Sequence, residues 1–324
     1  LSVVISGLLG IFLAYNGFGA WALVIQSLTR SFINVCALWY ISKWLPKEKF
    51  YYNRFKKLFS FSSKLLIAGL IHTFTGNFYQ LFIGKAFSSN ILGLYSRANS
   101  FAMFPSQNLE AIISRVTFPI LCELQNDRVR LMEVFQKIIK STALLILPLM
   151  TILVVLSKPL ILTLLTEKWK DSIELLQIVS VGLMFLPINS INVQIFGVTG
   201  RTDWVLKTDL VKQILLLGFL LGTFPFGVKA IAFGQSAAYI LTYFVNLIII
   251  QRVVDYKVMN QIAIILPIFL FSFTIGGAVY LTGTFFSTQP LKLILGGSVG
   301  ALLWFITIWI FNAAKFRTSV KELF

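Results

Sequence analysis

Residues 91–121 read ILGLYSRANSFAMFPSQNLEAIISRVTFPIL, a stretch long enough to cross a membrane as one helix. Arg97 and Arg115 are 18 residues apart in it, which is five full helical turns, so both lie on one face with Asn108 near it. About 27 Å of helix axis separates the two arginines, nearly the thickness of the hydrocarbon layer. Cations inside a span are costly, so this face predicts either a polar pathway or side chains that extend to the nearer membrane surface.

The composition around this stretch excludes soluble classes of protein. Hydrophobic residues make up 57% of the 324 residues and charged residues 12%, whereas soluble domains carry roughly 25% charged residues. The net charge of +16 comes from basic residues scattered between apolar runs, which argues against nucleic acid as a partner. We therefore expect an all-α polytopic membrane protein.

The sequence lacks the motifs of common catalytic and metal sites. Cys36 and Cys122 lie far apart, in or beside apolar helices, so neither a disulfide nor a metal site is expected. His72 is the one histidine, and no H-E-x-x-H, G-x-S-x-G or phosphate-binding Gly-Lys-Ser motif occurs. We expect no enzyme activity, no catalytic residues, no metal and no cofactor.

Apolar periodicity predicts about ten transmembrane helices. They are placed at 1–16, 20–43, 60–84, 91–121, 138–157, 173–197, 203–224, 229–251, 260–282 and 291–313. The stretch 158–169 is too short to span and is predicted to lie along the membrane interface. Asp127 is predicted to cap an amphipathic helix on the cytoplasmic surface.

Basic residues divide unevenly between alternate loops. Seventeen of the 28 lysines and arginines fall in one set of loops, six in the other set and five within helices. The positive-inside rule places the richer set in the cytoplasm, so both ends of this chain are predicted to be cytoplasmic.

A six-residue pattern occurs twice, as FGAWAL at 18–23 and FGVKAI at 226–231. Both copies open helices that run in the same direction, which favours two six-helix bundles related by an axis along the membrane normal. Residues 58–258 would then be one complete bundle. Residues 1–57 would hold the last two helices of a preceding bundle and a basic loop, and 259–324 two appended helices with a cytoplasmic tail.

Polar side chains within other predicted helices add candidate cavity residues. His72, Asn77 and Gln80 lie on adjoining faces of the third helix. They fit either a hydrophilic lining or hydrogen bonds between helices. Arg30 lies in the middle of the second helix, where reaching the membrane surface is harder.

Three further features carry polar groups into the spans. Asn189 and Asn192 follow Pro187 and predict a kinked, partly polar segment of the kind that lines transporter cavities. Lys212 follows Asp209 by three residues, which predicts a local ion pair. Glu110 lies nearly opposite the two arginines of its helix and is the candidate for a coupling ion.

Several motifs carry a family resemblance in their joint order. The stretch 92–135 contains G-L-Y-x-R-A, R-V-x-F-P-x-L and L-Q-x-D-x-x-R-L, and it is flanked by WALVIQ at 21–26, PLILTLLTEKW at 159–169 and GRTD at 200–203. Together they resemble the polysaccharide-exporter branch of the multidrug/oligosaccharidyl-lipid/polysaccharide (MOP) flippase superfamily. One departure is Thr166, where the family often has Gly; we expect it to change only the flexibility of an external turn.

The resemblance implies two six-helix bundles, as in MOP and MATE transporters, often with two extra helices. This chain would begin at the fifth helix, with four helices preceding Leu1. The resemblance also implies a cationic central cavity for a polyprenyl-diphosphate headgroup, with Arg97 and Arg115 in the eighth helix. The implied setting is the bacterial inner membrane, with membrane lipids and other polysaccharide-assembly proteins as partners.

The predicted function is translocation of a polyprenyl-diphosphate-linked oligosaccharide, or another polysaccharide precursor, by alternating access. One alternative is a multidrug exporter of the same superfamily, which would favour cavity carboxylates such as Glu110. The other alternative is a membrane glycan polymerase or glycosyltransferase, which would need acidic or basic catalytic residues on sizeable external loops.

Overall fold

The computed structural model describes residues 2–42, 52, 59 and 77–321, and its regular elements are helices. The chain divides into two compact units, residues 1–70 and 71–324. His72 and most of the predicted third helix lie outside the described residues, as does the predicted boundary between 57 and 58. The division into three parts at 57/58 and 258/259 stays a prediction.

The first unit contains two helices that pack against each other, α1 (Ser2–Tyr15) and α2 (Ala20–Ser42). Gly19 adopts a positive φ of 52° directly before α2. Gly227, its counterpart in the second copy of the predicted repeat, has a φ of 89° directly before a helix that begins at Val228. The two copies therefore share a local geometry that favours glycine.

The second unit consists of a succession of helices joined by short connections. These are α3 (77–86), α4 (Ser89–Glu123), α5 (Arg128–Val155), α6 (Ser157–Leu164), α7 (Ser172–Leu183), α8 (Leu186–Val198), α9 (Thr202–Thr223), α10 (Val228–Val254), α11 (Val258–Thr284) and α12 (Gln289–Lys321). Two short 3₁₀ helices, Glu167–Trp169 and Phe224–Phe226, lie in the connections.

Six of the described helical stretches are long and apolar enough to cross a membrane. They are Ala20–Ile41, Arg128–Val155, Ser172–Val198, Val228–Val254, Val258–Thr284 and Gln289–Ile310. The helix α1 is apolar but has only 14 residues, whereas α4 and α9 are long but carry polar and charged side chains. The chain is thus a multi-pass membrane protein, and the predicted count of ten spans is not confirmed.

The helix α5 unites two elements that the sequence predicts separately. Asp127 accepts a hydrogen bond from the Arg130 N–H at 3.1 Å, which confirms the predicted cap. The helix then runs unbroken to Val155, so the separate surface helix predicted after Asp127 is wrong. The reason is that Leu131, Phe135 and Ile139 are buried in the same core as the rest of α5.

The span predicted at 173–197 is interrupted, and the predicted role of proline in it is confirmed. The helix α7 ends at Leu183 and α8 begins at Leu186, with Pro187 in its first turn, where the missing N–H breaks no hydrogen bond. The stretch predicted along the interface contains α6 and a 3₁₀ helix, both too short to span.

The helices of the second unit pack in a way that places α4 and α10 at its centre. The helix α4 packs against α5, α7 and α8, and α10 packs against α7, α8 and α9. At the crossing of α7 and α10, a Cβ on Gly182 would lie 2.5 Å from the Ser236 Cα. Only glycine permits this approach, as at other close helix crossings in membranes.

The last two helices attach to the same unit rather than standing apart from it. The helix α11 packs against α5, and α12 packs against α5, α6 and α11. The Trp304 indole Nε1 donates a hydrogen bond of 2.8 Å to the Leu144 carbonyl oxygen, which ties α12 to α5.

Thr166 adopts a backbone conformation that normally belongs to glycine. Its φ of 79° and ψ of 172° place it where a β-branched side chain is strained. The expectation that Thr166 changes only the flexibility of the turn is therefore wrong, because the residue holds a strained backbone in the chain between α6 and α7.

Replacing Thr166 by Gly should stabilise the protein by about 1 to 3 kcal/mol, because it removes the Cβ that causes the strain. The measurement is the apparent melting temperature of the full-length protein in detergent. Thr166→Ala is the matched control, since it keeps a Cβ and should not give the full rise. Equal melting temperatures for the two variants would contradict the assignment of strain.

Candidate functional site

A cavity of about 830 Å³ lies within the second unit, between α3, α4, α8, α9 and α10. This volume is within the range of ligand pockets, roughly 300–1,000 Å³. Most of its lining side chains are polar, although they come from helices with long apolar runs. The polar lining residues are Tyr79, Gln80, Tyr95, Asn99, Gln107, Glu110, Ser114, Arg115, Asn189, Ser190, Gln194, Thr208, Asp209, Lys212, Gln213, Gln235, Tyr239 and Asn246.

One face of α4 supplies the longest wall of this cavity. Its lining residues recur every three or four positions, which keeps them on one side of the helix. They are Tyr95, Asn99, Met103, Gln107, Glu110, Ser114 and Phe118. From the first to the last they cover about 35 Å of helix axis, comparable with the thickness of a bilayer core.

This wall is not the face of α4 that carries the predicted arginine pair. Arg97 is exposed and lies outside the lining, with its guanidinium carbon 5.7 Å from the centre of the Trp169 ring. Asn108 is also exposed, and its Nδ2 donates a hydrogen bond of 2.6 Å to the Phe104 carbonyl oxygen. The structure therefore does not place Arg97 and Asn108 in this cavity, and their role in binding stays a prediction.

Glu110 and Arg115 both line the cavity, although the sequence places them on nearly opposite faces. Glu110 belongs to the wall itself, whereas Arg115 reaches the cavity from the edge of the wall, beside Ser114. Helical spacing alone predicts a cavity on the side of α4 that carries the arginines. In the structure it faces the neutral polar residues and Glu110.

Four charged side chains lie in the described lining, Glu110, Arg115, Asp209 and Lys212. The Lys212 Nζ is 2.6 Å from the Asp209 Oδ1, so the predicted ion pair is confirmed. Lys212 is also close enough to Glu110 to stabilise its carboxylate. Two cations and two carboxylates balance, so this lining lacks the excess positive charge that the family resemblance implies.

Hydrogen bonds join the cavity wall of α4 to α8. The Gln194 Nε2 donates to the Ser114 Oγ at 2.7 Å, and its Oε1 accepts from the Thr117 Oγ1 at 3.1 Å. The Ser114 and Ser190 hydroxyl oxygens are 3.2 Å apart, and the Ser190 side chain also lies beside the Glu110 carboxylate. This series fixes the side chains around Glu110 in place.

A second cluster joins α4 to α10 through the carboxamide of Gln235, which is only 4% exposed. Its Oε1 accepts a hydrogen bond of 2.7 Å from the Tyr95 hydroxyl, and its Nε2 donates to the Asn99 Oδ1 at 3.4 Å. Tyr239, one turn further along α10, lies beside Gln235. We call Tyr95, Asn99, Gln235 and Tyr239 the Gln235 cluster.

The two predicted asparagines of α8 have different surroundings. Asn189 lines the cavity, and its Oδ1 accepts a hydrogen bond of 2.8 Å from the Asn246 Nδ2 on α10. Asn192 is fully buried outside the lining, and its Oδ1 accepts from the Gln261 Nε2 on α11 at 3.1 Å. Asn192 thus connects α8 to α11 and does not face the cavity.

The remaining predicted residues are divided between the cavity and other surfaces. Gln80 lines the cavity, whereas Asn77 is exposed and lies outside the lining. Arg30 is exposed on α2, in the first unit. His72 lies outside the described residues.

The predicted site residues did not include Gln213 or the members of the Gln235 cluster. A signal was present, because Gln235 and Tyr239 are four residues apart in an otherwise apolar helix and so share a face. On α4, the neutral residues Asn99, Gln107 and Ser114 likewise repeat at helical spacing. The face of α4 predicted from Arg97 and Arg115 is thus not the face that lines this cavity.

A family model described as "Polysaccharide biosynthesis protein" matches residues 1–174, which is more than half of the chain. The chain belongs to this polysaccharide biosynthesis protein family. The resemblance to polysaccharide exporters is thereby confirmed, and the match runs from α1 into α7.

The chain is similar to three bacterial proteins over part of their length. The succinoglycan biosynthesis transport protein ExoT of Rhizobium meliloti is 26% identical over 52% of this chain and 34% of its own length. The teichuronic acid biosynthesis protein TuaB of Bacillus subtilis is 28% identical over 55% of this chain and 36% of its own length. The lipopolysaccharide biosynthesis protein WzxC of Escherichia coli is 26% identical over 58% of this chain and 38% of its own length. The aligned segment thus covers about a third of each relative.

The fold matches that of the lipid II flippase MurJ in its inward closed conformation. The TM-score is 0.79 at 20% sequence identity, and the match covers 97% of this chain and 67% of that protein. At this identity the likeness establishes the fold of the chain.

Cysteine labelling should distinguish the cavity wall from the outside of the bundle. In a full-length protein whose Cys36 and Cys122 are replaced by Ser, Gln213→Cys should react with a charged, membrane-impermeant thiol reagent, because Gln213 lines the cavity. The control is Ile214→Cys, at the next residue of α9. Ile214 is 67% exposed on an apolar surface and lies outside the lining. Equal labelling of Gln213→Cys and Ile214→Cys would contradict the position of the cavity.

Proposed function

We propose that this chain is part of a flippase that moves a polyprenyl-diphosphate-linked oligosaccharide, or another lipid-linked polysaccharide precursor, across the bacterial inner membrane by alternating access. The observation that carries the proposal is a cavity of about 830 Å³ that many polar side chains line, inside a bundle of apolar helices. Membership of the polysaccharide biosynthesis protein family and the MurJ-like fold support it. Because the chain covers only part of its relatives, the activity belongs to the whole protein.

The two cations of the cavity are the groups that we assign to the diphosphate. Arginine forms charge-assisted, often bidentate hydrogen bonds with phosphate oxygens, and lysine supplies a point charge. Arg115 and Lys212 both line the cavity, and the Lys212 ammonium group lies 2.6 Å from the Asp209 Oδ1. Asp209 neutralises Lys212, and an arriving diphosphate would compete with this carboxylate for the ammonium group.

Glu110 is the residue that we assign to the coupling ion. It is partly buried, lies beside Ser190 and is within electrostatic range of Lys212. A proton or cation on Glu110 would remove one carboxylate from the surroundings of Lys212, so ion binding and diphosphate binding would influence each other. This arrangement supports a transport step in which the two ligands alternate.

The proposed orientation places the charged part of the cavity near the cytoplasm. In the topology expected from the basic loops, both ends of the chain are cytoplasmic and α4 runs inward from its start at Ser89. Arg115 and Asp209 then lie toward the cytoplasmic side, the level at which the diphosphate of an inner-leaflet lipid would enter.

A multidrug exporter of the same superfamily is the second candidate function. It is favoured by the two carboxylates of the lining, Glu110 and Asp209, since carboxylates bind cationic drugs. The two functions differ in the effect of removing a cation, because loss of Arg115 weakens an anion site and leaves a cation site intact.

Arg115→Ala in the full-length protein, expressed at its native level, should lower polysaccharide export by about tenfold or more, because one charge-assisted contact is lost. The measurement is the amount of polysaccharide at the cell surface. Arg252→Ala is the matched control, since Arg252 is exposed near the end of α10 and lies outside the lining.

Full export by Arg115→Ala, at a protein level equal to that of Arg252→Ala, would contradict the assignment of Arg115. Loss of drug resistance without a change in export on deletion of the gene would favour the second candidate. Arg97→Ala tests separately the role that the sequence alone predicts for Arg97.

A further inference from the structure

We propose that the Gln235 cluster is a sugar-binding subsite, separate from the charged groups of the same cavity. The inference rests on the proposed function, because it assigns the glycan and the diphosphate of one substrate to different parts of one cavity. It also names the contact residues, Asn99 and Tyr239, and gives Gln235 the role of a positioning residue.

The cluster lies at a different level of the bundle from the charged residues. Asn99 and Glu110 are eleven residues apart on α4, which is about 16 Å along the axis. At the neutral end, the Tyr79 hydroxyl donates a hydrogen bond of 2.7 Å to the Leu216 carbonyl oxygen, one turn of α9 beyond Lys212. The lining thus changes from charged to neutral along its length, as far as the described residues extend.

The chemistry of the neutral end suits a sugar and not a phosphate. A phosphate brought there would lose its hydration without meeting a cation among the described lining residues, which is strongly unfavourable. A sugar instead offers hydroxyl groups that both donate and accept, with apolar C–H faces between them. Carboxamides present a donor and an acceptor side by side, and tyrosines present an apolar ring with a hydroxyl.

The hydrogen bonds of the cluster distinguish the positioning residue from the contact residues. Gln235 is buried, and both ends of its carboxamide are used, by Tyr95 on one side and Asn99 on the other. Asn99 and Tyr239 are only partly buried and line the cavity. Gln235 therefore fixes the orientation of the groups that a ligand can touch.

Stability alone does not account for a buried carboxamide at this position. A hydrogen bond between membrane helices gains little net free energy, because the polar groups of unassociated helices also find partners. The contact between α4 and α10 could be made by apolar side chains of the same volume. What the carboxamide adds is a fixed direction for the Asn99 amide and the Tyr239 hydroxyl at the cavity surface.

The test compares the binding of two probes to the purified full-length protein in nanodiscs. The probes are a polyprenyl diphosphate without sugar and the same lipid carrying one hexose. The wild-type protein should bind the sugar-bearing lipid about tenfold more tightly, as expected for one or two added hydrogen bonds. Asn99→Ala, Tyr239→Phe and Gln235→Leu should each reduce this ratio to about threefold or less, with an unchanged Kd for the bare lipid.

Two control variants separate a subsite from a general effect on the fold. Tyr243→Phe removes a hydroxyl from the same helix, one turn beyond Tyr239, where the ring is buried outside the lining. Ser100→Ala changes the exposed residue next to Asn99. Both should keep the wild-type ratio of the two affinities.

The outcomes distinguish failure of the sugar-binding subsite from failure of the proposed function. One outcome is that the bare lipid binds but the sugar adds no affinity. Another is that the sugar adds the same affinity in Asn99→Ala and Tyr239→Phe as in the wild-type protein. Either result would overturn the subsite and leave the proposed function standing. If the wild-type protein binds neither lipid, the proposed function fails together with the subsite.

Discussion

A polar side chain of a membrane-spanning helix cannot form hydrogen bonds with the surrounding hydrocarbon. It must therefore find a hydrogen-bond partner within the bundle. The helix α4 meets this constraint on one face. Its Ser114 and Thr117 contact Gln194 on α8, and its Tyr95 contacts Gln235 on α10. These contacts connect α4 to α8 and, through the side chains of Tyr95 and Gln235, to α10.

The same constraint governs the charged groups of the cavity. Lys212 lies 2.6 Å from Asp209, and Glu110 lies beside Ser190 and within electrostatic range of Lys212. A balanced set of charges can remain in a partly buried cavity at lower cost than isolated cations can. In the proposed transport cycle, the diphosphate and the coupling ion would act by replacing partners within this set, and the neutral Gln235 cluster would contact the glycan.

Much of the fold could be predicted from the sequence, because long apolar runs have few alternatives to a membrane-spanning helix. The interruption before Pro187, the cap at Asp127 and the ion pair of Lys212 followed from local rules and are confirmed. The continuous helix α5 was missed, because the sequence does not tell whether an apolar face such as that of Phe135 meets a membrane surface or a protein core.

The candidate site was predictable only in part, for a related reason. Helical spacing predicts that Arg97 and Arg115 share a face, but it does not say what each side chain meets. Trp169, which lies against Arg97, comes from a distant part of the chain. The position of the cavity depends on the partners of the neutral residues, such as Gln235 with Tyr95, and these are long-range contacts that periodicity does not contain.

Flippase activity can be measured as lipid translocation by the purified full-length protein in proteoliposomes. A polyprenyl-diphosphate-linked oligosaccharide, labelled with a fluorophore on its sugar, is followed with a membrane-impermeant quencher added outside. The account predicts that label from the inner leaflet becomes accessible and is quenched, at a rate that depends on the amount of protein. Quenching of the outer leaflet alone, as in protein-free liposomes, would contradict it.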